Sequence, residues 1–467
     1  MSEGLSKNTE SEYMSLTKKE MITYALGYIP NTLMAGVFVL MYVNFFWNYL
    51  KLDQTLFIIG QIIYATVNAL NDPLTGHISD KTDVDKWGSR RIIYIKYFGP
   101  LWAVFYFIMW FPWSWDSQII IFLHFTLSIC IFDTFLSLII GLYMSLMSEM
   151  TDSVKFRYKL YFYANIFSFI ALIPVIMVQS IFEAGLVIFQ AFNGIIAIIS
   201  ILMYIYVVRN LKERPELRKE EDYTFFQAMK DVLKSKAFLT RTGYIFFNNI
   251  AKAMGYSFVF AFLFILGQGT LTPIIFLGIL YGIGFISQVM YMKFENKWGI
   301  RGTILRFKGI YVILSILSFV VVALIDLPIL VWIFIGIISL FSGFNVFDFV
   351  LLTFAIDEDE LKHGSRRESI FQGTSSLLFK PADSIGPIIA TSILLAFGFV
   401  QGAPTQSASA LLGIKLLMFV APAIMHGISL IFIYLYPYYG EKLKELNQAI
   451  IELHAKKKKM YEERMRK

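Results

Sequence analysis

The chain has 467 residues, of which 57% are hydrophobic and 17% aromatic, and its mean hydropathy is +0.61. Those values exclude an ordinary soluble protein and place most of the chain in lipid. A formal net charge of +7 raises nucleic acid as a partner, but the basic residues are distributed by loop and not gathered in one patch, so no nucleic-acid partner is expected. The single cysteine, Cys130, excludes an internal disulfide. Residues 1–21 are polar and charged, so no secretory signal peptide is expected and the first apolar helix serves for insertion.

In chain order, apolar runs of spanning length recur at 22–50, 55–79, 91–114, 117–147, 159–182, 185–208, 239–267, 271–293, 303–325, 328–355, 368–398 and 411–437. This reads as an all-α integral membrane protein of twelve transmembrane helices. Loops after the even-numbered spans carry Lys81, Lys86, Arg90 and Arg91; Lys155, Arg157 and Lys159; Lys293, Lys297 and Arg301; and Lys362, Arg366 and Arg367. The opposite loops carry only Lys51. Positive charge marks the cytoplasmic side, so both termini are expected there, in a multi-pass protein of the cell membrane.

A charged segment at 209–238 separates an N-terminal six-helix bundle (22–208) from a C-terminal one (239–437), with 1–21 and 438–467 as cytoplasmic ends. Within it Phe225, Phe226, Met229, Val232 and Leu233 fall on one helical face, which suits a helix lying at the inner membrane surface. The two halves echo one another. DKWGSRR follows the second span and NKWGIRG the eighth, while Ile131–Asp133 in the fourth matches Val346–Asp348 in the tenth. Such internal repeats are the signature of transporters that rock around a central site. The tail carries the block Lys456–Lys459 on a charged amphipathic helix, suited either to anionic lipid headgroups or to solvent.

The stretch YATVNALNDPLTGHISDKTDVDKWGSRRI holds the most informative residues. Asp72 lies eight residues before Asp80 at the water edge, so it sits on the order of 12 Å deep in the apolar layer. An acid at that depth is costly and usually serves an ion or substrate path, with a structural acid satisfied by a neighbouring helix as the alternative. Asn68 shares its face, and Pro73 leaves the carbonyl of Ala69 without a helical donor. Carboxylate, amide oxygen and carbonyl together suit Na⁺ or a proton. The other intramembrane acids are Asp133, Asp348 and Asp383, and the bases are Lys252 and Lys380, which leaves acid capacity for a transported cation. Asp133 and Ser137 share a face of their helix; Lys380 and Asp383 are spaced to pair. The five histidines are scattered, with His426 read as a packed residue, and no HExxH or P-loop occurs. An enzyme is therefore not expected, nor any cofactor beyond Na⁺ or H⁺ as coupling ion.

These residues resemble a known family. LNDPLTGHISDKTDVDKWGSRR is similar to the second-helix signature WDAxNDPxxGxxxDRTxxxWGRRR of the glycoside–pentoside–hexuronide:cation symporters, the melibiose permease-like group of the major facilitator superfamily. LYMSLMSEMTD resembles that family's PYGALLPELTD, and IDEDELKHGSRRESIFQGTSSLLFKPADSIGP resembles DYDELKTGKRREGIFYGxxxFxxKxGxALGP. The matches run in order across both halves. The resemblance implies two six-helix bundles around an alternating-access cavity, with sugar-class solute uptake coupled to Na⁺, H⁺ or Li⁺.

Carried over residue by residue, it implies a cation site of Asp72, Asn68, Asn71 and Ser137, with Lys380 beside it. Asn68 stands where the family has its first acid, which points either to a weaker Na⁺ site or to proton coupling through Asp72. The family's sugar-binding acid falls near Thr32 and its arginine at Ala164 or Asn165, so a neutral galactoside is not supported. Lys252 and Asp383 look like additions and suggest an acidic or zwitterionic solute. The expected coupling residues are Lys380, Asp383 and Asp133, and the solute cavity takes Asn31, Thr32, Asn165, Lys252 and Gln372. Asp80, Arg90, Arg91 and Arg301 form the expected cytoplasmic gate, pairing the two halves. Membrane lipids and a small solute are the expected partners of a monomer. A lysolipid or amphiphile carrier and a non-transporting membrane sensor remain as alternatives.

Overall fold

In lipid every backbone N–H and C=O has to be paired within the chain, and in so apolar a sequence only helices do that locally. A computed structural model describes residues 16–80, 82, 84–87, 89, 91–150, 154–211, 225–267, 269–325, 327–364 and 367–466. The side chains of Asp72 and Asp80, and Arg90 altogether, lie outside the described residues.

The N-terminal half begins with α1 (Lys18–Leu26) and α2 (Tyr28–Val43). The first starts four residues before the expected span, because Thr17 and Glu20 form a capping box that satisfies its first donors. A π-helical turn, Asn44–Tyr49, ends α2. Then come α3 (Gln54–Asp80), α4 (Val84–Trp87), α5 (Ile92–Ile108), α6 (Gln118–Met150), α7 (Val154–Ile176), α8 (Val178–Glu183) and α9 (Leu186–Asn210).

The C-terminal half opens with the short α10 (Phe225–Val232), then α11 (Lys236–Tyr256) and α12 (Val259–Leu266), which meet at a 58° bend. The long run α13 (Thr272–Leu324) is two helices joined at Gly299, whose φ of +67° suits glycine. It is followed by α14 (Pro328–Ser339), a 3₁₀ turn (Gly343–Phe347) and α15 (Asp348–His363). The chain ends with α16 (Glu368–Phe379), α17 (Ala382–Ala396), α18 (Ala408–Leu435) and α19 (Gly440–Arg466). Among the described residues eight helices are long and apolar enough to cross a membrane, and the bent pair α11–α12 makes up to nine.

The expected surface helix in the linker does something different. Val232 of α10 is fully buried in a cluster with Phe238 and Phe371, so α10 docks on the protein. Helices α3 and α6 pack together, and α3 also packs against α16 and α17 of the other half. Helices α11 and α17 approach closely at Gly386, where a Cβ would lie 2.6 Å from Cβ of Ala253. These contacts set the ionisable groups of the two halves face to face.

The halves are also joined at the end opposite the basic loops. Gln54 Nε2 donates to Thr391 Oγ1 at 2.9 Å, Gln401 Nε2 to the Leu52 carbonyl at 3.2 Å, and Ser257 Oγ to the Val39 carbonyl at 3.0 Å. Trp47 stacks on Phe399 with centroids 5.7 Å apart and is fully buried.

Candidate cation and solute site between the two halves

Spacing of three and four along α3 places Tyr64, Asn68 and Asn71 on the face that meets α6. The Asp133 carboxylate of α6, 3% exposed, sits among them. Tyr64 Oη donates to its Oδ1 at 3.2 Å and Asn71 Nδ2 to its Oδ2 at 3.1 Å. Asn68 Nδ2 points at Tyr64 Oη at 3.4 Å, and Thr134 Oγ1 at Asn71 Oδ1 at 3.3 Å. Both carboxylate oxygens thus accept from uncharged donors. The Asn68 carbonyl oxygen is sealed from solvent and has no hydrogen-bond partner among the described residues. A buried oxygen of this kind is costly unless something fills its place, and a cation does so.

Across the interface the helix breaks between α16 and α17, and Lys380 stands at the break. Its ammonium donates to Ser137 Oγ of α6 at 2.7 Å, a direct bond between the halves. Asp383 is acted on by Lys252, then Asp133, then Lys380, so the expected pairing of Lys380 with Asp383 is only one part of a four-charge cluster. Lys252 is an exposed side chain over the Tyr256 ring at 5.9 Å. A lysine at such depth, beside acids on α15 and α17, fits a water-filled cavity better than a lipid-facing surface.

A second buried polar network fills the C-terminal half. Lys308, fully buried, donates to Asn248 Oδ1 and lies 4.4 Å and 4.3 Å from the ring centroids of Tyr244 and Phe344. His426 Nδ1 lies 3.2 Å from that same Asn248 oxygen. An oxygen already accepting from the Lys308 amine calls for a second donor there, so Nδ1 carries a proton. Arg241 Nε donates to the Asp348 main-chain carbonyl at 3.2 Å, and its Nη1 to Ser375 Oγ. The charges acting on the Asp348 carboxylate are Arg241, Lys308 and Lys252. Asp348 stands at the first residue of α15, where the helix dipole also favours a negative charge.

The expected excess of acid over base inside the membrane is corrected by Arg241, Lys308 and Lys415, all buried. Sequence reading passes over them because each lies near a span end, where basic residues ordinarily belong to loops. Tyr64 and Thr134 are likewise missed, though Tyr64 stands four residues before Asn68.

The expected solute-cavity residues stand in different surroundings. Asn31, 5% exposed, accepts from Tyr204 Oη at 2.6 Å and is held within its own half. Asn165 is exposed and bonds the Tyr161 carbonyl of its own helix at 2.8 Å, whereas Thr32 is half-buried and Gln372 exposed. The gate expectation changes too. Arg301 Nε donates to the Ile433 carbonyl at 3.2 Å, Nη2 donates to the Tyr434 carbonyl, and the guanidinium stacks on Tyr439 at 3.7 Å. These carbonyls end α18, so Arg301 caps that helix inside its own half. Arg91 precedes α5. At the basic end the described ion pairs are internal to the C-terminal half: buried Arg367 grips Asp359 through Nε–Oδ2 at 2.8 Å and Nη2–Oδ1 at 2.5 Å.

Two bundles meeting around buried charges define a membrane transporter of the major facilitator fold. The architecture matches a bacterial homologue of the human lysosomal transporter Spinster in an inward-facing, unoccupied conformation, with a TM-score of 0.61 at 12% identity, covering 94% of this chain and 99% of that one. Residues 23–440 match the family described as MFS/sugar transport protein, and the chain belongs to that family. Among curated relatives, Transmembrane protein 180 of Gallus gallus is 23% identical over 411 residues, 78% of each chain. The uncharacterized symporter YjmB of Bacillus subtilis (strain 168) is 25% identical over 329 residues, 67% of this chain and 69% of that protein. The protein is a multi-pass membrane transporter and not an enzyme.

Proposed function

We propose that this transporter is a symporter of the melibiose permease-like group, taking up a small polar solute of the sugar or sugar-derivative class with Na⁺ or H⁺. In this reading twelve helices form two six-helix bundles in the cell membrane, the chain works as a monomer, and the basic loops and both termini face the cytoplasm. The observation that carries it is the buried cluster at the seam, with Asp133 held by Tyr64 and Asn71, and Lys380 bonded across to Ser137. The family description and the symporter relative agree with it.

The cation site takes Asp133 beside Asp72, Asn68 and Asn71. Ser137 offers its oxygen once Lys380 leaves it. Cation binding and the Lys380 contact then compete, so filling the site loosens one bond between the halves and links ion binding to rocking. Solute enters beside Lys252 and Asp383.

Thermal stability of the purified protein against Na⁺, with choline holding ionic strength, tests this. A site filled at a hundred times its Kd adds about 2.7 kcal/mol. Stabilisation by Na⁺ in the parent that is lost in Asp133→Asn and Asp72→Asn supports Na⁺ coupling. A pH dependence that only these variants abolish supports H⁺. Indifference to both ions overturns symport.

A further inference from the structure

The π-helical turn at the end of α2 carries an amide chain that the transport reading does not use. Gly402 N–H, in the loop after α17, donates to Asn48 Oδ1 at 3.0 Å. Asn48 Nδ2 donates to Asn44 Oδ1 at 2.9 Å, Asn44 Nδ2 to Gln179 Oε1 at 3.1 Å, and Gln179 Nε2 to Glu183 Oε1 at 3.1 Å. The chain therefore runs from a C-terminal-half loop through α2 into α8 of the N-terminal half. Its direction is forced by its ends. A main-chain N–H only donates and a carboxylate only accepts, so each of the three amides between them has one orientation.

The backbone supports this placement. Leu50 N reaches back five residues to the Phe45 carbonyl at 2.9 Å, the wide turn of a π-helix, and Lys51 turns the chain with φ of +56°. Single π turns inside helices cluster at functional sites. Trp47, in the same turn, stacks on Phe399 and faces Phe260 at 6.5 Å, so the relay borders the aromatic seal between the halves. Asn44 is 2% exposed and Gln179 4%, so a fault in the relay leaves a buried amide group unpaired.

We infer that Asn48, Asn44, Gln179 and Glu183 form a one-directional latch that holds this end of the transporter closed, and that the cycle opens it by breaking the Gly402–Asn48 bond. The four are positioning residues that act on the seal. The inference rests on the alternating-access reading above.

The test uses full-length protein in nanodiscs, where both faces are open to reagent, with Cys130→Ser and a buried reporter Phe260→Cys in the seal, this double variant serving as the parent. The rate of maleimide labelling reads the opening of this end. Asn44→Leu removes two relay bonds and raises the rate by about tenfold. Glu183→Lys puts a donor where the relay needs an acceptor, so no orientation of Gln179 satisfies both neighbours, and it also accelerates labelling. Glu183→Gln keeps an accepting oxygen and labels like the parent. Because Glu183 is exposed, its variants fold, and it tests the latch should Asn44→Leu fail to fold.

Equal rates for Glu183→Lys and Glu183→Gln, or no change in Asn44→Leu, overturn the latch. Trp47→Ala separates this from failure of the transport reading. Fast labelling in Trp47→Ala beside a slow Asn44→Leu sinks the latch alone. Slow labelling in every variant means that this end does not open, and both fall.

Discussion

Asp133 in α6 and Asp348 at the head of α15 stand at echoing places in the two halves, yet their surroundings differ in kind. Asp133 lies within a continuous helix and takes hydrogen bonds from a phenol and an amide, within the cluster that it shares with Asp383. Asp348 follows a 3₁₀ break, and the charges that act on its carboxylate are the cations Arg241, Lys308 and Lys252, none of them within ion-pair distance. A carboxylate solvated by neutral donors keeps its field and attracts a cation. One surrounded by cations has already spent that field on its neighbours. In the proposed reading the same acid in the same relative position would serve ion binding in one half and internal cohesion in the other.

That contrast can be broken experimentally, and the largest effect is expected at Asp348. Asp348→Asn removes the acid that acts on buried Arg241 and Lys308, at an expected cost of about 3 kcal/mol. Denaturation of the detergent-solubilised protein will show it, and adding Lys308→Met will recover much of the loss. A silent Asp348→Asn would erase the distinction. Asp133→Asn is expected to cost less, about 1–3 kcal/mol, while abolishing ion-dependent stabilisation and solute accumulation in proteoliposomes.

Smaller changes sharpen the comparison. Tyr64→Phe removes one donor from Asp133 and costs about 0.5–1.5 kcal/mol. Its sharper signature is a weaker response to cation, read as a shifted midpoint in the Na⁺ titration. Asn68→Leu removes the unpartnered carbonyl oxygen and should raise thermal stability in the absence of cation while lowering cation affinity. The least effect is expected at Asp231, on the surface of the basic end. A hydrogen bond from Lys234 holds its carboxyl below the usual carboxylate range, helped by Arg367 and His363. A depressed acid stabilises the fold above its ordinary pKa, and that contribution disappears as pH falls through the lowered value. The difference in Tm between parent and Asp231→Asn should therefore be small at neutral pH, begin to shrink below about pH 4 and vanish below the lowered value.

Much of the N-terminal cluster is readable from helical spacing alone. Asn68 and Asn71 lie on one stripe of α3, and Asp133 and Ser137 lie one turn apart on α6. What spacing does not reveal is which groups cross between helices. Arg241 and Lys308 read as loop-edge charges until the fold turns them inward, and Arg301 reads as a gate residue until its carbonyl partners on α18 are seen. Cavity contacts are unreadable for the same reason, since helix rotation sets Asn31 against Tyr204 and turns Asn165 back to the Tyr161 carbonyl of its own helix. The π turn has no sequence signature at all. Its register is set by bonds reaching α8 and a loop more than three hundred residues away.

The helix α15 also links two places that the membrane keeps apart. Its first residue is Asp348, and twelve positions on, roughly 18 Å along the axis, buried Glu360 lies 3.1 Å from His454 of α19. Leu446 and Ile450 seat that terminal helix on the protein. A tilt of α15 at the charged centre must therefore swing α19 outside the bilayer, like the pointer on a gauge. A fluorophore near residue 456 turns the tail into a readout of the working cycle from the water side, with no label inside the transport path.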